Sequence, residues 1–184
     1  MAHAQTRCSN GYTLLELLST LAVGAVLLAL AVPSFEGFVL DTRRTADINA
    51  FVLAVQLARS ETAKRGHPVI VCKTRDQVRC GGTDLQYDAG WMVFVNVDDV
   101  LPPARSAGEP LLYAHQPEIE GTITGNRAFF EFRPFRRRST NGTLIFCDRR
   151  GASAARAVIV SYTGRPRVDD HDADGKALRC ADLS

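Results

Sequence analysis

Three observations predict an α+β chain, with one long N-terminal helix packed on an antiparallel β-sheet globular domain. Leu17 to Val32 is almost wholly apolar, apolar residues then recur at helical spacing from Ile48 to Thr62, and beyond Pro68 the pattern shortens to strand-like runs. No helical pattern separates those runs, so a sheet wrapped against the second half of the helix is the economical arrangement.

The chain opens with a short polar leader that ends in Asn10-Gly11-Tyr12-Thr13-Leu14-Leu15-Glu16. An ordinary secretory signal ends its apolar stretch at a small-residue cleavage site, whereas the candidate point here, Gly11, precedes the apolar stretch. The hydrophobic helix is therefore expected to stay in the mature chain. From Tyr12 to Val32 it would be roughly 32 Å long at ~1.5 Å per residue, enough to cross a bilayer's hydrocarbon layer. An acid near one end costs on the order of 3 kcal/mol on insertion scales, so Glu16 needs a partner or an interfacial place.

Residues 12–33 are thus expected to span a membrane, and Pro33 to impose a kink or local unwinding. Residues 34–66 should continue the helix as an amphipathic segment, because Ile48, Phe51, Val52, Val55, Ala58 and Thr62 form one stripe. That stripe reads as core and not as a ligand box. Arg43, Arg44, Asp47, Arg59 and Glu61 are expected largely on the solvated side, and Gly66 with Pro68 to stop the helix near Lys64.

Residues 67–184 are expected to form the globular domain. Its strand-like runs are Val69 to Lys73, Trp91 to Asn96, Leu111 to His115, Glu118 to Thr124, Ala128 to Phe132, Gly142 to Cys147 and Arg156 to Ser161. Asn141-Gly142 is a hairpin signal, while Gly81-Gly82 and Pro102-Pro103 mark loops.

The chain has 184 residues, and without leader and span about 150 remain, near the usual domain size. The net charge of +2 hides an asymmetry. Residues 12–120 hold 9 basic and 13 acidic side chains, whereas residues 121–184 hold 12 and 7, so basic surface gathers in the C-terminal third. Four cysteines follow the leader: Cys72, Cys80, Cys147 and Cys180. An even number suits an oxidising compartment. Three pairings are possible; Cys72 with Cys80 and Cys147 with Cys180 is favoured, since the first closes a short loop and the second ties down the tail. A four-cysteine zinc site would want close Cys-x-x-Cys pairs, which the sequence lacks.

Catalytic grammar is also missing, with no phosphate-binding glycine loop, no His-Glu-x-x-His and no Gly-x-Ser-x-Gly, so no enzyme and no cofactor are expected. Asn141-Gly142-Thr143 matches a glycosylation sequon, but a turn explains it more simply. Asp170-His171-Asp172-Ala173-Asp174-Gly175 matches the first half of a calcium loop. Ala181 stands where the bidentate acid belongs, and His67, His115 and His171 are scattered, so no metal site is expected.

The N-terminal junction resembles the signal of type IV prepilins, in which a dedicated peptidase cuts after the glycine and the new N-terminal residue is methylated. That resemblance implies a leader of residues 1–11, cleavage between Gly11 and Tyr12, and methylation of Tyr12. It makes Glu16 the fifth mature residue, paired in the filament with the α-amino group of a neighbouring subunit. Further on, Gly90-Trp91-Met92-Val93-Phe94, then Ser139-Thr140-Asn141-Gly142-Thr143 leading into Phe146-Cys147-Asp148, then Val158-Ile159-Val160-Ser161 before Thr163-Gly164-Arg165-Pro166-Arg167, look like the FimT/FimU and GspH minor pilin family. The implied fold is pilin-like.

Gly164-Arg165-Pro166-Arg167 resembles the Gly-Arg-x-Arg element associated with DNA binding in FimT-like competence pilins. Two arginines separated by a rigid proline can project from a loop as bidentate donors to successive phosphates. Arg136, Arg137 and Arg138 would widen the patch if the fold brings them near. Such contacts to double-stranded DNA would be independent of sequence and sensitive to salt. Opposing them, Asp169, Asp170, Asp172 and Asp174 follow at once, within about a Debye length.

The family resemblance implies a minor pilin that enters a type IV pilus near its tip and helps to start assembly. Its implied partners are other major and minor pilins, a prepilin peptidase, and the bacterial inner membrane, crossed once with the globular domain in the periplasm before export into the extracellular pilus. Two alternatives stand beside it: a tip DNA receptor for natural transformation, using Arg165 and Arg167, and a GspH-like pseudopilin of a type II secretion system.

Overall fold

The computed structural model describes residues 13–134 and 138–181. They form two compact units that divide between Val39 and Leu40.

Helix α1 (Leu14–Arg65) begins in the first unit. Thr13 caps it: its Oγ1 accepts from the Glu16 N–H at 3.2 Å and its carbonyl from the Leu17 N–H at 3.1 Å. The hydroxyls of Ser19 and Thr20 donate back to the carbonyls of Glu16 and Leu17, both at 2.9 Å, so neither is left without a partner. Nine large apolar side chains between Leu14 and Leu28 are each more than half exposed. Helical backbone continues through residue 33, where a kink or local unwinding was expected, so the chain does not unwind there. Among the described residues no helix is long and apolar enough to cross a membrane. Tyr12, part of the span expected over residues 12–33, lies outside the described residues.

In the second unit α1 ends as its sequence dictates, with Gly66 at φ 70° donating its N–H to the Thr62 carbonyl. Two antiparallel four-stranded sheets follow, not the single sheet expected. One has the order β3-β2-β1-β5, from β1 (Val69–Lys73), β2 (Trp91–Val95), β3 (Leu111–His115) and β5 (Phe129–Phe132). The other has the order β4-β6-β7-β8, from β4 (Gly121–Gly125), β6 (Gly142–Asp148), β7 (Arg156–Val160) and β8 (Pro166–Asp169). The chain alternates between sheets from β4 to β5 to β6. Asn141-Gly142 is therefore no hairpin turn. Gly142 opens β6, where a Cβ would lie 2.7 Å from side-chain atoms of Asn126 and Arg127, so the glycine serves close approach.

Alternation at period two puts one face of each sheet into a shared core. Val69, Val71, Trp91, Val93, Phe130 and Phe132 come from one sheet, Ile123, Leu144, Phe146, Val158 and Val160 from the other. The helical stripe Ile48, Phe51, Ala54, Val55 and Ala58 closes it. Phe51 joins both sheets, with ring centroids 5.6 Å from Trp91, 5.7 Å from Phe130 and 6.4 Å from Phe146.

Each outer sheet face carries a smaller cluster stapled by a disulfide. Cys72 is bonded to Cys80 beside Ile70, Met92 and Phe94. Cys147 is bonded to Cys180 beside Ala155, Ala157 and Leu178, which fixes the tail on the second sheet.

Candidate functional site

Two residues expected on the solvated side of the helix are buried instead. Asp47 is 1% exposed and Arg44 7%. Their side chains meet polar groups of the sheets, which is what allows charge to enter this interface. Asp47 accepts from His115 Nε2 at 2.8 Å, from the Ile119 N–H at 2.8 Å and from the Glu118 N–H at 3.1 Å. Those two backbone donors are thereby taken from the strand expected to begin at Glu118, and β4 starts at Gly121.

Arg44 donates to Asp148 Oδ2 at 3.0 Å, to the Ala154 carbonyl at 2.5 Å and to Asp41 Oδ1 at 2.6 Å. Arg150 closes the network, reaching Asp148 Oδ2 and Asp41 Oδ1, both at 2.7 Å. The Arg150 guanidinium holds both carboxyls below the usual range for aspartate. The spacing that selects Ile48, Phe51 and Val55 continues backward to Arg44 and Asp47, so the signal for their burial was present in the helical pattern. Arg43, by contrast, is half-buried and pairs with Glu120.

Of the residues expected to serve processing and assembly, Gly11 and Tyr12 lie outside the described residues, while Glu16 is exposed in the first turn of α1. Thr13 and Glu16 have the Thr-x-x-Glu spacing of a capping box, and an acid there complements the positive end of the helix dipole.

Gly164-Arg165-Pro166-Arg167 is not a projecting loop throughout: it turns the chain from β7 into β8. The Gly164 N–H donates to the Ser161 carbonyl at 2.8 Å, and Ser161 N–H to the Arg165 carbonyl at 3.1 Å. Pro166 then pairs with Val160 and Arg167 with Ile159. A proline beside charged residues reads as loop, yet suits an edge strand whose outer side needs no donor. Gly164 has φ 71° and is buried; a Cβ there would lie 3.0 Å from the Phe132 ring and 3.1 Å from Arg59 Cδ. Arg165 is exposed, and Arg167 is 59% exposed with Asp169 Oδ2 3.7 Å away.

Arg138 joins this hairpin. Its guanidinium lies 5.5 Å from the centroid of the Tyr162 ring, and the Ser139 N–H donates to the Tyr162 carbonyl at 3.0 Å. Arg136 and Arg137 lie outside the described residues.

Part of the acidic run is occupied by its own backbone and neighbours. Asp170 pairs with His171 at 2.8 Å, which lowers the carboxyl and raises the imidazole. Asp172 Oδ1 accepts from the N–H groups of Lys176 at 2.8 Å and Asp174 at 2.9 Å, bonds that hold its pKa down. The carboxylate expected to point at an ion in a calcium loop thus stabilises its own turn. Ligand atoms of Asp169, Asp170 and His171 lie within 4.8 Å of one another on the surface.

A long N-terminal helix whose second half packs on antiparallel sheets, preceded by a prepilin-type junction, defines a pilin-like subunit. The Type II transport protein GspH family matches residues 47–164, and the prokaryotic N-terminal methylation motif matches residues 6–32. The chain belongs to the GspH family and is a type IV pilin-like minor pilin or pseudopilin. Among solved structures, two crystal forms of the type IV minor pilin FimU of Pseudomonas aeruginosa resemble it at 18% identity. Their TM-scores are 0.48 and 0.49, covering 68% and 71% of this chain and 90% and 87% of theirs. No curated protein matches.

Proposed function

We propose that this chain is a minor subunit of a type IV pilus that helps to start filament assembly, working by binding and not by catalysis. The observation that carries this reading is the union in one chain of a methylation motif over residues 6–32 with a GspH-family domain over residues 47–164. In this reading a prepilin peptidase cuts between Gly11 and Tyr12, and Tyr12 is methylated on its new amino group. The segment 12–33 then holds the chain in the inner membrane, with the globular domain in the periplasm until export into the pilus. Apolar side chains exposed from Leu14 to Leu28 suit lipid before assembly and neighbouring pilin helices afterwards. Glu16 pairs with the α-amino group of the next subunit, and methylation leaves that charge in place.

A second reading, favoured by the exposure of Arg165 and Arg167 on the β7–β8 hairpin, adds binding of double-stranded DNA without sequence preference. A third, favoured by the family's description, is a pseudopilin of a type II secretion system.

Deletion of the gene separates them. Loss of surface pili with normal protein secretion supports the first reading; normal pili with failed secretion overturns it in favour of the third. Normal pili with failed uptake of DNA leave the second as the chain's main work.

A further inference from the structure

A groove of about 800 Å³ opens between the C-terminal part of α1, the end of β5 and the β7–β8 hairpin. That volume lies in the range of sites that hold small organic groups, roughly 300–1,000 Å³. It is lined by three arginines, Arg59, Arg133 and Arg138, together with Tyr162 and the fully buried Phe132. No carboxylate lines it among the described residues. Arg133 pairs with Glu131 at 2.8 Å, whereas Arg59 has no acidic partner among the described residues.

Tyr162 is 54% exposed, and the Arg138 guanidinium sits over it. The groove adjoins the arginine hairpin through Gly164, whose missing side chain lets the Arg59 stem and the Phe132 ring come close. Arg165 is the next residue. The place therefore offers a planar platform and cations together, beside an exposed arginine that can donate hydrogen bonds to phosphate.

We infer that this groove receives an unpaired nucleotide of single-stranded DNA, its base stacked on the Tyr162–Arg138 pair and its phosphate held by Arg59 and Arg165. The inference rests on the DNA-binding reading of Arg165 and Arg167 and extends it from double-stranded DNA to unpaired nucleotides. Arg165 and Arg167 meet phosphates of any strand, while stacking requires a base whose face is free, which a duplex interior does not supply. Stacking accepts every base because each has a π face, so this site adds preference for strand state without sequence preference.

The test is fluorescence anisotropy with the full chain in detergent micelles and three labelled probes of equal phosphate number: oligo(dT), an abasic strand and a blunt duplex. Oligo(dT) should bind roughly five- to 150-fold more tightly than the abasic strand. Tyr162→Ala should remove that difference and Tyr162→Phe keep it, with melting temperatures reporting the fold of each variant. Arg138→Gln, on the second face of the platform, should narrow the difference by a smaller factor. Arg165→Ala/Arg167→Ala should weaken all three probes.

Equal affinity for oligo(dT) and the abasic strand, or equal weakening of both by Tyr162→Ala, overturns the inference. If Arg165→Ala/Arg167→Ala still weakens binding in that case, the DNA-binding reading survives without the groove. Failure of every probe overturns both. Competition by polyglutamate as effective as that by oligo(dT) also overturns the inference, since it would mark the groove as a site for acidic protein.

Discussion

Arg44 and Asp148, 104 residues apart, meet at 3.0 Å with side chains 8% and 0% exposed. One lies on the helix and the other at the end of β6, so the contact fixes how the second half of α1 seats on the second sheet. Removing one member leaves the other charge buried, which is worse than never having had the pair. Asp148→Ala should cost about 3–5 kcal/mol, a fall of roughly 6–20 °C in melting temperature for a chain of this size. Arg44→Met/Asp148→Leu should recover much of that loss; a double variant as unstable as Asp148→Ala would contradict this account of the pair.

Acid should weaken the same network. The carboxyl of Asp148 is held below its ordinary value, first by the hydrogen bond from Arg150, and Asp41 is lowered by the same residue. A depressed folded-state pKa means that the stabilisation is fully present above about pH 4 and is lost as pH falls further through the folded value. Denaturant midpoints should therefore drop below pH 4. Arg150→Met should flatten that drop; an unchanged profile would count against the assignment.

The two disulfides should differ in weight because they close loops of different length. Sequence separations of 33 and 8 residues correspond to about 3.7 and 2.5 kcal/mol of chain-entropy stabilisation. Cys147→Ser/Cys180→Ser should therefore melt lower than Cys72→Ser/Cys80→Ser. The reverse order would show that loop closure is not the main contribution of these bonds.

Gly164→Ala tests the hairpin that carries the arginines. The substitution puts a side chain at φ 71° and presses its Cβ against Phe132 and Arg59. A loss of about 1–3 kcal/mol is expected, from strained backbone and crowding together. Melting curves within about 0.5 kcal/mol of the parent protein would mean that the turn can relax.

How far the sequence carried depends on which physical rule was in play. The helix, its stop at Gly66 and seven of the strands follow from periodicity and punctuation, and the disulfide pairing from loop economy. Partition into two sheets was not legible, because period two gives a strand's faces without naming its neighbour. Strand β8 was hidden by Pro166 and by charged residues that an edge strand tolerates. Arg44 and Asp47 were misplaced for a different reason. Their positions on the stripe point inward, but charge by itself favours solvent, and only tertiary structure supplies Asp148, His115 and the backbone donors that make burial possible. On the candidate DNA surface, the sequence marked Arg138, Arg165 and Arg167, while the fold added Tyr162 and the groove beside them.

Pilus membership through Glu16 is tested most directly by shearing filaments from cells that produce either the natural chain or Glu16→Ala, and probing filament and membrane fractions for the subunit. The natural chain should occur in the sheared filaments, begin at a methylated Tyr12 by mass spectrometry, and be depleted there at least tenfold by Glu16→Ala while the membrane pool persists. A natural chain that never enters filaments, or a Glu16→Ala chain that enters them equally well, would contradict the proposed role.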